Sequence, residues 1–370
     1  MNSRPTLTPL GTALAGLLDG LGPVAARRVA IAEAMGLVAA ETVLACGPLP
    51  AGAVALRDGI AVTASDLIGA SSYSPALLMT PPAHVRLGEA LPAGCDAVLP
   101  AEAASPQGSF AEIGQAAYPG EGVALAGSDL PSGATIVRAG ETVTAETVLA
   151  LTLAGIAEIA VRVPVIRLPD GMPSPALIWL SAWLAGLSCR VVGPTQSETS
   201  LRLQTISGSD LSEPAEMLDS TARPQSDISL LVHMPSGSTR LAEGLALKPG
   251  DSTKTGVFAA HQPVITLPDR FDGIVAVAHA LVLPLVARLT GRRIHQVTQP
   301  LAAKVTSTVG VTDAALLRSG DRGYEPLGIG RITLAGLLAA DAIAFIPPDS
   351  EGAAAGTPID AIPLTRPLIA

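Results

Sequence analysis

The first apolar pattern along the chain has the spacing of an amphipathic helix. Between residues 14 and 21, leucines recur three and four positions apart, which predicts a helix in this segment. The apolar pattern resumes from Val29 to Leu44 and predicts a second helix. A Gly-Pro pair at residues 47 and 48 should end it, because these residues favour turns.

The pattern then changes to short apolar and β-branched runs separated by Gly, Pro and Ser. Three such runs are Ala61 to Thr63, Ala97 to Leu99 and Thr135 to Val137. Short runs bounded by turn residues are typical of strands. Residues 51 to 140 are therefore predicted to be mostly β structure.

From Glu146 onwards the pattern alternates between helical and extended segments. A helix is predicted from Glu146 to Ile156 and a strand from Val161 to Leu168. The next predicted elements are helix Leu177 to Leu187, strands Cys189 to Val192, Ile228 to Met234 and Val264 to Leu267, and a long helix from about Asp272 to Leu289. Strands that alternate with helices favour an α/β layer.

Short strands return after Gly291. They are predicted at Gln296 to Thr308, Gly330 to Ile332 and Ala342 to Ile346. The fold class expected from these patterns is a multidomain protein of α/β plus β structure. Its predicted parts are an N-terminal helical and linker domain at residues 1–50 and 134–162, a small inserted β domain at 51–133, a central α/β domain at 163–292 and a C-terminal β domain at 293–370.

Composition and charge argue against several classes of protein. The chain has 370 residues, of which 48% are hydrophobic and 15% charged, so it is too apolar to be disordered. Its net charge of -9 argues against a broad electrostatic contact with nucleic acid. The apolar run from Ile274 to Leu289 is interrupted by polar residues, so we expect a buried helix and no membrane span. The N-terminal apolar stretch does not have the pattern of a signal peptide.

The cysteines and histidines do not indicate a metal or disulfide framework. Three cysteines stand far apart without CxxC spacing, which fits a reducing, cytoplasmic location. His279 is expected to be a satisfied interior residue, and His233, at a predicted strand end, has a smaller chance of contacting a ligand. Trp179 and Trp183 share a helix face, and core packing is favoured there over ligand stacking.

Several short stretches occur in the order found in one enzyme family. They are Met35–Glu41, Asp58–Val62, Leu91–Val98, Gly127–Gly133, Ala246–Gly250, Pro263–Pro268, Gly328–Gly330 and Leu338–Ile346. Each is short, but their shared order over some 300 residues resembles the molybdopterin molybdenumtransferase family, which is related to the C-terminal domain of gephyrin. The α/β region is then a molybdopterin-binding-like domain.

The resemblance implies a reaction and partners. Members of this family insert molybdate into adenylylated molybdopterin with Mg²⁺, in a cleft between the α/β domain and the small β domain of the other subunit of a homodimer. The expected ligands are therefore molybdopterin or its adenylylated form, molybdate and magnesium. A molybdoenzyme or another protein of cofactor biosynthesis is a possible partner, whereas nucleic acid and membrane are not expected.

The resemblance also assigns site residues. Asp58, Asp129 and Asp170 match acidic positions of the family and are the candidate catalytic carboxylates, with Asp170 as the candidate metal ligand. Aspartate also stabilises turns by accepting hydrogen bonds from backbone N–H groups, so a structural role is the alternative for Asp58 and Asp129.

Two loops and two further residues are the candidate substrate-binding groups. The loop Lys248, Pro249 and Gly250 matches the family's Lys-Pro-Gly sequence, and its lysine is suited to a phosphate oxygen. A turn of Ser236, Gly237 and Ser238 offers N–H and hydroxyl donors. Pro268 and Arg270 follow a predicted strand, and Asp269 between them is a candidate helix N-cap.

Several departures from the family pattern remove polar groups. The family's Thr-Gly-Asp-Glu turn is replaced by Leu168–Gly171, its Gly-Leu-Pro-Gly-Asn-Pro by Thr266–Phe271, and a polar run by apolar residues at 51–56. Only 13 residues separate Met234 from Lys248, which predicts that a helix of the family is missing. Three interpretations stay open: an active transferase, a degenerate paralogue that binds pterin or a molybdoenzyme without turnover, and a protein whose altered pocket takes another small molecule.

Overall fold

The computed structural model describes residues 7–169, 174–193, 226–259 and 261–364. In these ranges the α-helices are α1 (Leu10–Leu18), α2 (Ile31–Ala34), α3 (Ala145–Leu153), α4 (Pro175–Gly186), α5 (Phe271–Val277), α6 (Leu283–Thr290) and α7 (Leu334–Ala339). The helices predicted near residues 14–21, 146–156, 177–187 and 272–289 are confirmed.

The N-terminal and linker segments form small antiparallel sheets. Their strands are β2 (Arg27–Ala30), β3 (Val38–Ala39), β4 (Val43–Leu44), β13 (Thr135–Val137) and β14 (Glu158–Arg162). The helix predicted from Val29 to Leu44 is wrong, because this segment contains β2, the single turn α2, β3 and β4. Gly36 has φ +82°, a left-handed conformation that stops a helix, and β2 gains its hydrogen bonds from β14.

The region after residue 50 is built from short strands, as predicted. They are β5 (Val54–Ala55), β6 (Gly59–Val62), β7 (Ala76–Leu78), β8 (Ala83–Val85), β9 (Ala97–Leu99), β10 (Ala104–Gln107), β11 (Phe110–Ile113) and β12 (Val123–Ala124). Two three-stranded antiparallel sheets, β8-β6-β9 and β10-β11-β7, enclose a small core around Ile60, Leu67, Leu99 and Ile113.

The α/β region contains a six-stranded sheet in the order β16-β15-β17-β21-β20-β18. Its strands are β15 (Val165–Arg167), β16 (Arg190–Val192), β17 (Ile228–Leu231), β18 (Thr239–Ala242), β20 (Thr255–Phe258) and β21 (Gln262–Thr266). The first four in sheet order are parallel, whereas β20 is antiparallel to both of its neighbours. The carboxyl ends of the four parallel strands therefore share one edge.

Of two predictions for this region, one is wrong and one is confirmed. The single strand predicted from Val161 to Leu168 is wrong: β14 and β15 lie in different sheets, and Pro164 between them has no N–H to continue a strand ladder. As predicted, no helix lies in the described segment between Met234 and Lys248, because β18 (Thr239–Ala242) and β19 (Leu245–Lys248) occupy it.

The C-terminal region is organised around a seven-stranded sheet. The strands of this region are β1 (Thr8–Pro9), β19 (Leu245–Lys248), β22 (Val297–Pro300), β23 (Val305–Thr306), β24 (Thr312–Gly320), β25 (Gly323–Ile329), β26 (Ala342–Ile346), β27 (Gly352–Ala353) and β28 (Pro358–Pro363). The main order is β1-β19-β24-β26-β28-β22, with β25 beside β24, while β23 pairs with β27. The run predicted at 296–308 is two strands, and residues 330–332 are a loop after β25, so that predicted strand is wrong.

The N-terminal segment (β1 and α1) and strand β19 pack against parts of the protein that are distant in sequence. β1 and β19 pair with the C-terminal sheet. Ala13 and Leu17 of α1 join the largest core cluster, together with buried residues of α4, α5 and α6. The predicted domain boundaries remain a prediction, but helix α1 and strand β19 make contacts across them.

The longest helical segment runs from Phe271 to Thr290. It consists of α5, a π-helical turn at Ala278–Val282 and α6. Its length and composition would suit a membrane span, but 83% of its apolar window is buried inside the protein. The predicted buried helix is thus confirmed.

Candidate functional site

The Lys248 loop meets the loop after β21 at the beginning of α5. A methyl carbon added at Gly273, in the first turn of α5, would lie 2.8 Å from Cβ of Pro268 and 3.6 Å from Cα of Gly250. Such close approach requires glycine at position 273. Two of the predicted substrate-binding segments, Lys248–Gly250 and Pro268, are therefore brought together at the carboxyl edge of the sheet, where open α/β sheets bind ligands.

Lys248 is the cation of this loop. It ends β19, lies opposite Asp313 of β24 and is half-buried. In the described ranges no carboxylate lies within ion-pair distance of its ammonium group. Lys248 is therefore available to an anionic ligand.

Arg270 is already paired. It is the N-cap residue of α5, and its Nε donates to Oδ1 of Asp272 at 3.3 Å. The same oxygen accepts the backbone N–H of Gly273. The expected cap at Asp269 is wrong, because Arg270 occupies the cap position and makes no side-chain cap bond. Arg270 remains largely exposed, so an anion could replace Asp272 as its partner.

The structure separates Ser236–Ser238 from the other substrate-binding candidates. β18 begins at Thr239, which pairs with Val257, and Val257 in turn pairs with Pro263 near the beginning of β21. The serine turn therefore lies toward the opposite edge of the sheet from Pro268. Its Ser238 hydroxyl is buried without a hydrogen-bond partner among the described residues.

Asp58 lies in the β structure inserted after residue 50. Its Oδ1 accepts a hydrogen bond from the backbone N–H of Leu87 at 2.8 Å. Asp58 therefore has the structural role in a turn that was the alternative to catalysis. It is also exposed and lines a polar cleft of about 570 Å³ together with His84, Glu89 and Glu102. The structural and the ligand-binding interpretations of Asp58 are thus compatible.

Asp129 is exposed, and it has no ion-pair partner among the residues that the structure describes. Its backbone N–H donates to Leu49 O at 3.0 Å, and its side chain is 3.5 Å from the Ser128 hydroxyl. In the described ranges no ion pair or hydrogen bond connects Asp58 or Asp129 with the Lys248 loop. Among the described residues, a single chain therefore does not bring Asp58 or Asp129 into direct contact with Lys248.

The candidate metal ligand, Asp170, lies outside the described residues. Within them, no group of three or more His, Cys, Asp or Glu side chains could hold a metal ion. A caged metal centre is thus not formed by this part of the chain. Mg²⁺ is often held by only one or two carboxylates and by substrate phosphates, so a single aspartate is compatible with substrate-dependent binding.

Sequence reasoning did not find a second, apolar cavity. An open cavity of about 550 Å³ lies between α4, α6, residues 292–295 and α7. Trp179 and Trp183 line it, although core packing was expected for them; both are half-buried and pack against the core as well. The signal that could have revealed the cavity was the i, i+4 spacing of two large aromatic residues on one helix.

Comparisons with known proteins agree with the ordered motifs. The family profile described as the MoeA N-terminal region (domain I and II) matches residues 8–155. Molybdopterin molybdenumtransferase 2 of Mycobacterium tuberculosis is 32% identical over 169 residues, which make up 40% of this chain and 42% of that protein. The sequence match therefore spans less than half of the curated relative.

Solved structures extend the likeness to the whole fold. A molybdopterin biosynthesis MoeA protein from Pyrococcus horikoshii has a TM-score of 0.69 at 21% identity, over 97% of this chain and 99% of that chain. A molybdenum cofactor biosynthesis protein from Pyrococcus furiosus has a TM-score of 0.60 at 16% identity, over 97% and 100%. Identities this low establish the fold alone.

The fold is accordingly that of a multidomain, MoeA-like protein with α/β and β parts. The resemblance to the molybdopterin molybdenumtransferase family is confirmed, by sequence over residues 8–155 and by fold over nearly the whole chain.

Proposed function

We propose that this protein acts in molybdenum cofactor biosynthesis, as a molybdopterin molybdenumtransferase that inserts molybdate into adenylylated molybdopterin. The observation that carries the proposal is the contact of the Lys248–Gly250 loop with Pro268 and the first turn of α5, in a chain with a MoeA-like fold. A cationic loop at the carboxyl edge of an α/β sheet suits a phosphate-linked ligand. The comparisons do not favour the alternative of a paralogue that binds without turnover.

Each candidate residue has a role that its surroundings permit. The Lys248 ammonium, without an ion-pair partner in the described ranges, would pair with a phosphate oxygen or with molybdate. Arg270 would exchange its exposed contact with Asp272 for a second anionic oxygen. These charge-assisted contacts are each worth about 1.5 to 3 kcal/mol. Magnesium would be held by Asp170 and the substrate phosphates and would neutralise their charge.

The remaining parts of the proposal concern the assembly. We propose a cytoplasmic homodimer in which the α/β domain of one subunit, at residues 163–292, faces the inserted β domain of the other, at residues 51–133. This arrangement would explain why Asp58 and Asp129 have no contact with the Lys248 loop within one subunit. A molybdoenzyme or another biosynthetic protein would receive the product.

The first test is the release of AMP. Full-length protein is incubated with adenylylated molybdopterin, molybdate and Mg²⁺, and AMP is measured by chromatography. Lys248→Ala should lower the rate about ten- to a hundredfold, the loss expected for one charge-assisted contact. Lys304→Ala is the matched control, because Lys304 is exposed in a loop of the C-terminal region.

Two results would contradict the transferase proposal. One is the absence of AMP from the wild-type reaction although the pterin binds, which would indicate the paralogue without turnover. The other is equal activity of the two lysine variants, which would remove Lys248 from the site.

The second test concerns the shared cleft. As homodimers, the Asp58→Ala and Lys248→Ala proteins should each be at least about tenfold less active than the wild type. When subunits of the two variants are mixed and exchanged, about a quarter of the wild-type rate should return, because half of the dimers are mixed and each has one intact site. No recovery in mixed dimers shown by mass spectrometry would exclude a cleft formed by two subunits.

A further inference from the structure

The apolar cavity between α4, α6 and α7 is separate from the candidate transferase site. The Lys248 loop and Pro268 lie at the first residue of the long helix, whereas Arg292 and Arg293 follow its last residue. Twenty residues of helix span about 30 Å. The cavity mouth and the Lys248 loop are therefore at opposite ends of this helix.

The size and walls of the cavity suit a small organic molecule. Its volume of about 550 Å³ lies within the range of roughly 300 to 1,000 Å³ that is usual for ligand sites. Leu283, Val286 and Leu337 provide aliphatic walls. The rings of Trp179 and Trp183 lie nearly parallel, 5.9 Å apart and tilted by 18°. The two indoles are stacked on each other, so a flat ring can pack on an outer face of the pair.

One polar side chain lies deep among these apolar walls. His279 is 4% exposed, and its ring centroid is 5.0 Å from that of Trp183. Nδ1 is 2.9 Å from the carbonyl oxygen of Val275. Because a carbonyl oxygen only accepts, Nδ1 must carry the proton, and Nε2 is then an acceptor. Nε2 has no partner among the described residues.

The backbone around this histidine is unusual. Residues 278–282 form a π-helical turn, in which the N–H of Leu283 donates to the carbonyl oxygen of Ala278. Such a turn widens the helix locally and recurs at ligand and catalytic sites. Burial lowers the pKa of His279 to about 4, so the ring stays neutral near pH 7 and Nε2 keeps its lone pair.

The mouth of the cavity is cationic. Arg292 and Arg293 line it and are exposed, and in the described ranges neither has a carboxylate within ion-pair distance. No Asp or Glu is among the described residues that line the cavity. Two guanidinium groups that have no ion-pair partner among the described residues, beside an apolar cavity in a chain of net charge -9, form a local site for an anion.

We propose that this cavity binds a small aromatic acid that carries a hydroxyl or N–H donor. The flat ring packs against Trp179 and Trp183, the donor bonds Nε2 of His279, and the acid group pairs with Arg292 or Arg293. The ligand therefore needs three parts: an apolar ring, one hydrogen-bond donor and one anionic group. The ligand is distinct from the phosphate-linked substrate proposed for the Lys248 loop.

The two tryptophans make a direct test possible. They are the only tryptophans in the chain and both line the cavity, so intrinsic indole fluorescence reports its occupation. The probe is para-hydroxybiphenyl carboxylate, titrated into the full-length protein with calorimetry as a second measurement. Its methyl ester lacks the anion, and its methyl ether lacks the donor. Each should bind about tenfold more weakly than the acid, the loss expected for one charged or one buried hydrogen bond.

Variants test which residues cause the preference for the acid over its ester and for the hydroxyl over its ether. The double variant Arg292→Ala with Arg293→Ala should abolish the preference for the acid over its ester and leave the preference for the hydroxyl over its ether. His279→Phe should have the reverse effect, and circular dichroism checks that it folds. Arg322→Ala is the control for charge, because Arg322 is an exposed arginine outside the cavity.

Three outcomes would overturn the proposal. The first is no change in fluorescence or heat up to about 1 mM probe, which corresponds to only about 4 kcal/mol of binding free energy. The second is equal binding of acid, ester and ether, which would indicate unspecific adsorption. The third is a fluorescence change that depends on protein concentration and not on probe, which would mean that a second copy covers the cavity.

Discussion

Replacement of Gly59 by alanine tests the packing that holds Asp58. A Cβ at position 59 would lie 2.1 Å from the carbonyl oxygen of Leu99 and 3.0 Å from its carbonyl carbon. A carbon normally stays about 3.3 Å or more from such an oxygen, so β6 and β9 must separate by roughly 1 Å. Overpacking of this kind costs about 1 to 3 kcal/mol.

The separation also weakens the pairing of Ile60 with Leu99. Two strained strand hydrogen bonds add about 0.5 to 1.5 kcal/mol each, so Gly59→Ala should destabilise this β structure by about 2 to 6 kcal/mol. Because Asp58 precedes Gly59, its bond to the N–H of Leu87 should also weaken.

Hydrogen exchange with mass spectrometry is the appropriate assay, because a multidomain chain does not unfold in one step. Peptides that contain β6 and β9 should exchange faster in Gly59→Ala, whereas peptides from α5 and α6 should not change. Gly52→Ala is the control, since no atom lies within 4 Å of a Cβ at that position. Equal exchange in both variants would refute the steric argument.

Three further predictions concern buried side chains. Leu17→Ala should destabilise the packing of α1 by about 3 to 5 kcal/mol, because Leu17 is completely buried in the largest core. Peptides that contain α1 should then exchange hydrogen faster by the corresponding factor, and a loss below about 1 kcal/mol would mean that α1 is not docked there. Burial lowers the pKa of His279 to about 4, against about 6.5 when unfolded, so the unfolded state binds more protons between these values. The free energy of unfolding of the region that contains His279 should therefore rise by about 3 kcal/mol from pH 4 to pH 6.5. If this free energy depends on pH no more steeply in the wild type than in His279→Phe, the prediction is wrong. Burial, with the nearby charge of Asp227, raises the pKa of the Cys189 thiol to about 12, so at pH 8 a thiol reagent should label exposed Cys46 and spare Cys189, as peptide mass spectrometry would show.

The sequence was most informative where one local signal dominated. Helix α4 begins with Ser174 at its N-cap and Pro175 in its first turn, which are ordinary start signals, and strand β9 was predicted with the bounds that it has. The ordered motifs resembled the molybdopterin molybdenumtransferase family without any structural information. These features depend on residues close together in the chain, or on order alone.

Errors arose where distant residues decide the structure. Val29–Leu44 has helical spacing, but β14, more than 100 residues later, supplies hydrogen bonds that make Arg27–Ala30 a strand. The family resemblance places both Ser236–Ser238 and Pro268 among the substrate-binding residues. The serine turn leads into β18, and the register of β18 on β20 places it near the opposite edge of the sheet from Pro268.

The amino-acid sequence by itself determined which segments are apolar enough to be buried, where turns break them, and which family their order resembles. Tertiary structure alone decided which segments meet: Gly250 lies beside Gly273, and Arg292 lines the same cavity as the two tryptophans. The physical reason is that periodicity and turn chemistry act over a few residues, whereas strand pairing and cavity formation depend on the packing of segments that are far apart in the chain.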